Sequence, residues 1–124
     1  MTRTAFLAAL LLAAFLLPAC DDDGPFVPDV VNPTVRIVYP GDFDTLGPGP
    51  NEFKAIATDD RGVRYASFWL NGDFLGIGRH PKGDTYNIWW DVRHTGHVLL
   101  SLSCVVDDSA DNTVSQTINV LIRR

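Results

Sequence analysis

The chain has 124 residues, 46% of them hydrophobic, and a formal net charge of -5. That length suggests one domain. Acids outnumber Lys and Arg by 15 to 10, and no basic cluster exceeds the terminal Arg123-Arg124. Phosphate binding depends on Lys and Arg, so nucleic acid is not an expected partner.

The first predicted element is apolar. Ala5 to Leu17 carries no charge, is nearly all Ala, Leu and Phe, and follows the single base Arg3. A membrane span needs about 20 such residues, whereas the h-region of a signal peptide has about 7–15. A buried helix would show a polar face, and none interrupts this run. Residues 1–19 are therefore expected to be a cleaved, helical signal peptide.

The run ends in Leu17-Pro18-Ala19-Cys20. An aliphatic residue stands three before the cysteine and a small one just before it. This resembles the lipobox of bacterial lipoproteins, with Pro18 where Ala or Ser is usual. The resemblance implies a diacylglyceryl thioether on Cys20, cleavage before it and acylation of the new amine. Each buried CH₂ contributes about 0.8 kcal/mol, and two or more chains make anchoring stable. The lipid bilayer is then a partner through acylated Cys20, and the expected location is the bacterial cell envelope. The acidic run Asp21-Asp22-Asp23 fits two addresses, retention at the inner membrane and export to the surface. An alkylated Cys20 cannot pair with Cys104, which lies in the apolar run Val98–Val106. Cys104 is expected to be a buried thiol acting as a small hydrophobe.

Residues 20–33 read as the lipidated cysteine and a tether, with three acids and then prolines at 25, 28 and 33. Proline favours extended chain and like charges repel. Fully extended, about 13 residues reach roughly 40–45 Å.

From Thr34 the pattern becomes strands, and 34–124 is expected to be one folded domain. Thr34–Tyr39 alternates and ends at Pro40-Gly41. The stretch to Asn51 is Gly- and Pro-rich loop, with a short strand at Phe43–Leu46 the one element suggested. Phe53, Ala55 and Ala57 share a face, and Asp59–Gly62 turns. Val63–Leu70 follows, with Ala66, Phe68 and Leu70 on one face. Asn71-Gly72 is the strongest hairpin signal, because a type I′ turn needs φ > 0 at both central residues. Phe74–Ile77 returns, and Gly78–Asp84 reads as turn. Thr85–Asp91 places Tyr86, Ile88 and Trp90 on one side. His97–Val106 aligns Leu100, Leu102, Cys104 and Val106. After a turn at Asp107–Asn112, Thr113–Ile122 aligns Val114, Ile118, Val120 and Ile122. About seven or eight short strands at regular spacing predict an all-β antiparallel sandwich.

Several stretches together resemble the bacterial immunoglobulin-like domain family. These are Pro33 to Asp42, Ala57-Thr-Asp-Asp-Arg-Gly-Val63, Ala66-x-Phe68-x-Leu70-Asn71-Gly72, Trp90-Asp91, Gly96-His97 and Val106-x-Asp108-x-x-Asp111-Asn112. The resemblance spans Pro33 to Ile122 and implies an Ig-like β-sandwich of about seven strands. Asp111 stands where the family usually has Gly, and Val106 where Ala is usual. Antibody-type hallmarks are incomplete: Ala55 and Ala57 occupy the strand of the first antibody cysteine, and Leu102 replaces the corner tyrosine.

Asp59, Asp60, Asp107, Asp108 and Asp111 flank two turns expected at one end, where the chain also arrives near Asp29 and Asn32. Oxygen-rich clusters suit Ca²⁺, which takes about 6–8 ligands. Asp and Asn also form turns by bonding their own backbone, and that is the role expected here, so no metal is assigned. His94 and His97 lack the three or four convergent ligands of a zinc site, and they and His80 are read as turn or loop. Trp69 and Trp89 fall on the phase opposite the inward sets. Exposed, they would stack on sugar rings or form a protein contact; otherwise neighbours shield them. No nucleophile-base-acid set or phosphate loop has a recognisable setting, and no cofactor is implied. The expectation is a non-catalytic envelope lipoprotein displaying one Ig-like domain for binding, adhesion or scaffolding. A carbohydrate-binding module and an accessory subunit of an envelope complex are the alternatives, with a glycan or an envelope protein as partner.

Overall fold

A computed structural model describes residues 25–92 and 97–123 of the chain. The leader, Cys20 and His94 lie outside the described residues. Every regular element among those described is a strand: β1 Thr34–Tyr39, β2 Asp44–Leu46, β3 Gly49–Thr58, β4 Val63–Leu70, β5 Asp73–Ile77, β6 Arg79–Lys82, β7 Thr85–Val92, β8 His97–Asp108 and β9 Thr113–Arg123. Two sheets form a sandwich. One has the order β1-β3-β7-β6 and the other β2-β9-β8-β4-β5.

The alternation seen in the sequence sets the core. Phe53, Ala55 and Ala57 of β3 face Ala66, Phe68 and Leu70 of β4 and Leu102, Cys104 and Val106 of β8 across a buried layer. Phe53 and Phe68 are wholly buried, and burial of such a side chain contributes about 1.5–3 kcal/mol. Ala55, Ala57 and Ala66 let the facing sheets approach those rings, as small residues do where large ones cross.

Three features depart from the sequence expectation. β2 pairs with β9 in parallel, through Asp44↔Val120 to Leu46↔Ile122, so the sandwich is not wholly antiparallel. β6 occupies the middle of the stretch read as turn, pairing β7 at Arg79↔Asn87 and Lys82↔Thr85. It carries Pro81 and is exposed throughout, as edge strands can be. β3 starts at Gly49, earlier than the alternation implies, because its first residues pair with Val92 and Asp91.

Turn chemistry fixes both ends of the sandwich. Asn71 and Gly72 have φ of 51° and 83°, the double left-handed geometry of a type I′ turn. Asp111, with φ of 64°, takes the left-handed conformation that glycine adopts readily and that Asp tolerates. Gly78 is the single residue between β5 in one sheet and β6 in the other. Its N–H donates to the Ala66 carbonyl at 2.7 Å. Gln116 of β9 ties the sheets together, its Oε1 accepting the Ile37 N–H at 2.5 Å beside the bulge in β1.

The end of the segment read as tether lies on the sandwich. Arg61 Nη1 donates to the Val27 carbonyl at 3.1 Å, and Asn112 Nδ2 to the Asp29 and Val31 carbonyls at 3.2 and 3.3 Å. The chain thus arrives at the end carrying the β3–β4 and β8–β9 turns, opposite Asn71-Gly72.

Candidate functional site

One exposed aromatic side chain of the sandwich, Trp89 on β7, is set among polar groups. Its strand alternates Tyr86 and Val92 inward, which turns Asn87 and Trp89 toward the outer face of the first sheet. Trp89 is 63% exposed. Its cross-strand partner is Glu52, and side chains opposite one another in a sheet lie about 5 Å apart at Cβ. Asn87, two residues along, pairs with Lys54 on one side and Arg79 on the other. Asn87 Nδ2 donates to Glu52 Oε1 at 2.9 Å, and Lys54 Nζ lies 3.4 Å from the same oxygen. An exposed indole therefore stands at the rim of a row of hydrogen-bonding groups. A groove of about 300 Å³ adjoins it, where β5 approaches β7 across the open side of the sandwich. Trp89, Trp90, Ile77, Leu75 and Arg79 are among its lining residues. Trp90 turns the other way and stacks on Phe53 at 5.8 Å between centroids.

Trp69 is not part of this surface. It sits on β4, so its outward face belongs to the second sheet, and the two tryptophans look away from each other. Trp69 is half-buried. Phe74, its register partner on β5, packs edge-on at 5.1 Å, and the Trp69 indole N–H donates to Ser67 Oγ at 3.0 Å. The shared phase of Trp69 and Trp89 does not bring them together. Glu52, Asn87 and Arg79 were not singled out from sequence, because only the strand register places them beside Trp89.

Cys104 is wholly buried, and burial pushes its thiol up to about 12. It is a core side chain, as expected from its position. His80 belongs to β6, not to a loop. Its ring stacks on Tyr86 at 4.5 Å, and Nε2 is hydrogen-bonded to the Gly83 carbonyl.

The five turn acids separate. Asp60 is exposed. Asp107 accepts a hydrogen bond from the Thr113 hydroxyl, and Asp111 pairs with Arg64 at 2.9 Å. Asp59 and Asp108 converge, and Asp29 from the incoming segment joins them: one carboxylate oxygen of each lies within 4.8 Å of the others. Asp108 is fully buried. Its Oδ1 accepts the Ala110 and Asn112 N–H groups at 2.8 and 2.9 Å, and its Oδ2 accepts Asn112 Nδ2 at 2.7 Å. Burial alone would raise this carboxyl. The hydrogen bonds from Asn112 and Ala110, with the charge of Arg64, outweigh it and hold the group below the usual carboxylate range.

The two packed sheets and their order define an immunoglobulin-like β-sandwich. The solved structures similar to it include the fibronectin(III)-like modules of Clostridium thermocellum CbhA, at 20% identity and a TM-score of 0.64, covering 76% of this chain and 48% of that one. An endo-β-1,4-mannanase from Thermotoga petrophila matches at 14% identity and a TM-score of 0.65, covering 76% of this chain and 20% of the enzyme. A modular endo-β-1,4-mannanase from Cellulomonas fimi matches at 15% identity and a TM-score of 0.54, covering 77% and 19%. The chain thus spans about half the length of the first and about a fifth of the mannanases. No protein-family model and no curated protein matches the sequence. The resemblance to bacterial immunoglobulin-like domains therefore holds at the level of the fold.

Proposed function

We propose that this chain is a non-catalytic binding module, held at the bacterial cell envelope by lipid on Cys20, which presents the Trp89 face to a glycan. The observation that carries the reading is the exposure of Trp89 beside a row of polar side chains. An indole face stacks on the apolar face of a sugar ring, while Glu52, Asn87, Lys54 and Arg79 supply donors and acceptors for hydroxyl groups. Together they give the mixed character that small-ligand sites use. The mannanases that contain a similar sandwich make β-1,4-mannan the first polysaccharide to test. A partner protein of the envelope is the second reading, favoured by the apolar groove under Ile77 and Trp89. The anchoring half of the proposal is supported by the apolar leader ending at Ala19-Cys20.

The test is retention on mannan and related β-glycans, followed by titration of soluble oligosaccharides against tryptophan fluorescence. Trp89→Ala should weaken binding at least tenfold. It should leave the melting midpoint nearly unchanged, because surface substitutions usually stay within about 0.5 kcal/mol. Binding that survives Trp89→Ala would remove this face from the function. Absence of binding to every glycan would leave the protein-partner reading, to be pursued by crosslinking on cells.

A further inference from the structure

We propose that the free edge of β5, Asp73–Ile77, takes an extended segment of a partner protein as an added strand. A sheet edge presents unpaired N–H and C=O groups, and proteins blunt such edges with proline, cations, bulges or brevity. Among the described residues the sandwich has four edge strands, β1, β2, β5 and β6, and three are blunted. β1 lies between Pro33 and Pro40, is broken by a bulge, and has its Ile37 N–H taken by Gln116. β2 has three residues. β6 carries Pro81 between Arg79 and Lys82. β5 has five residues, with neither proline nor a cation, and pairs only with β4. Phe74 and Ile77 stand about half-exposed along it.

A groove follows this edge. It consists of two cavities, of about 230 and 300 Å³. Asp73 and Leu75 line the first, and Leu75, Gly76 and Ile77 the second. Leu75 is the extra residue of the β4–β5 bulge, so the one irregularity of the edge stands where the cavities meet. Their walls are apolar, with Leu100 in one, Ile88 in the other and Trp90 in both. β6 pairs with β7 only as far as Asn87, and the β7 residues after it border the groove.

The occupant follows from backbone geometry and charge. A strand laid along five residues spans about 17 Å, and antiparallel pairing is the more stable arrangement. Backbone hydrogen bonds to β5 supply affinity, and side chains at every second position, about 6.8 Å apart, enter the cavities. Those positions suit apolar residues. Proline does not fit where the guest must donate its N–H. Asp73 lines one end of the groove and Arg79 the other. An antiparallel guest begins beside Arg79 and ends beside Asp73, so an acidic residue first and a basic residue last complement both. A second copy of β5 has the same order of charges, but antiparallel pairing turns that copy over. On the proposed anchoring, its Asp29 end would then point away from the bilayer holding the first, which favours a different chain. This inference rests on the protein-partner reading and is independent of the glycan one.

The experiment pans the whole protein against a display library of random heptapeptides and synthesises those enriched. They should alternate apolar residues, lack proline, and carry Asp or Glu before the apolar positions and Lys or Arg after them. On binding, amide hydrogen exchange should slow in Asp73–Ile77 and stay unchanged in β1. Ile77→Lys adds a cation of the kind that blunts natural edges, and should weaken binding roughly tenfold or more. Its melting midpoint should stay close to that of the wild type, since Ile77 is half-exposed. Asp73→Lys, at an exposed position, should reverse the preference at the last charged position from basic to acidic. Equal enrichment on the wild type and on Ile77→Lys would overturn the proposal. Binding that leaves β5 exchange unchanged would overturn it too, while keeping a protein partner elsewhere on the surface. Sedimentation of the protein alone should find a monomer; a dimer that protects β5 and dissociates in Ile77→Lys would give the edge to a second copy and overturn the proposed partner.

Discussion

Replacing Gly78 by Ala tests how tightly the crossing between the two sheets is packed. A Cβ at this position would lie 3.0 Å from Phe68 Cε2, 3.1 Å from Tyr86 Cβ and 3.3 Å from the Ala66 carbonyl oxygen. Ordinary carbon contacts are about 3.5–4.0 Å, so all three neighbours would have to give. Phe68 is wholly buried, so its ring can shift only against packed neighbours. The Ala66 carbonyl already accepts the Gly78 N–H. Overpacking of this kind costs about 1–3 kcal/mol. Loss of glycine entropy from the unfolded chain works the other way, stabilising by about 0.4–1 kcal/mol. Packing wins, and the net loss is about 1–2 kcal/mol. For a domain of this size that lowers the melting midpoint by roughly 4–16 °C.

Gly47→Ala provides the internal standard. Its Cβ would meet nothing within 4 Å, and its φ is not positive. It should gain the unfolded-state term alone, about 0.4–1 kcal/mol. The difference between the two variants then isolates the packing term. Urea and thermal unfolding, followed by circular dichroism and tryptophan fluorescence, give both values if the urea slope is unchanged. A Gly78→Ala variant as stable as Gly47→Ala would refute the close sheet crossing.

The two cysteines carry the remaining predictions. Cys104 should resist alkylation in the native protein and react fully in urea, read by mass spectrometry of its peptide. Because burial raises its folded-state pKa to about 12 from an ordinary 9.0, its contribution to stability is intact below about pH 9. That contribution is lost as the pH rises through 9 toward 12. Cys104→Ala should flatten this alkaline decline, and an unchanged slope would contradict the assignment. Metabolic labelling with a fatty acid should mark the wild-type protein and fail for Cys20→Ser; persistent label would end the anchoring proposal.

How much of this was legible in sequence depended on what each pattern measures. β1 and β4 have the limits that alternation predicts, and Asn71-Gly72 is the turn its two residues require. β6 escaped because a short exposed edge strand buries nothing and shows no alternation, while Gly78, Pro81 and Gly83 signal turn. Trp69 and Trp89 share an outward phase, but phase names a face and not a sheet. Only the register with Phe74 accounts for the shielding of Trp69, and only the register with β3 and β6 surrounds Trp89 with polar groups. Among the acids, the turn setting found Asp59 and Asp108. Asp29 stands in a segment whose prolines and charges read as spacer, so its convergence with them depends on the fold.

Docking of Val27–Val31 against Arg61 and Asn112 also sets the geometry of display. On the proposed anchoring, only about seven residues, Cys20 to Phe26, separate the lipid from the first held carbonyl. Fully extended they span at most about 25 Å, roughly half the leash that the whole spacer would give. The Asp29 end must then hang toward the bilayer and the Asn71-Gly72 end away from it. Trp89, nearer that far end, would face sideways from a short stalk. It would sample partners within a shell around its own attachment point, at a local concentration set by that radius and not by the length of the acidic run.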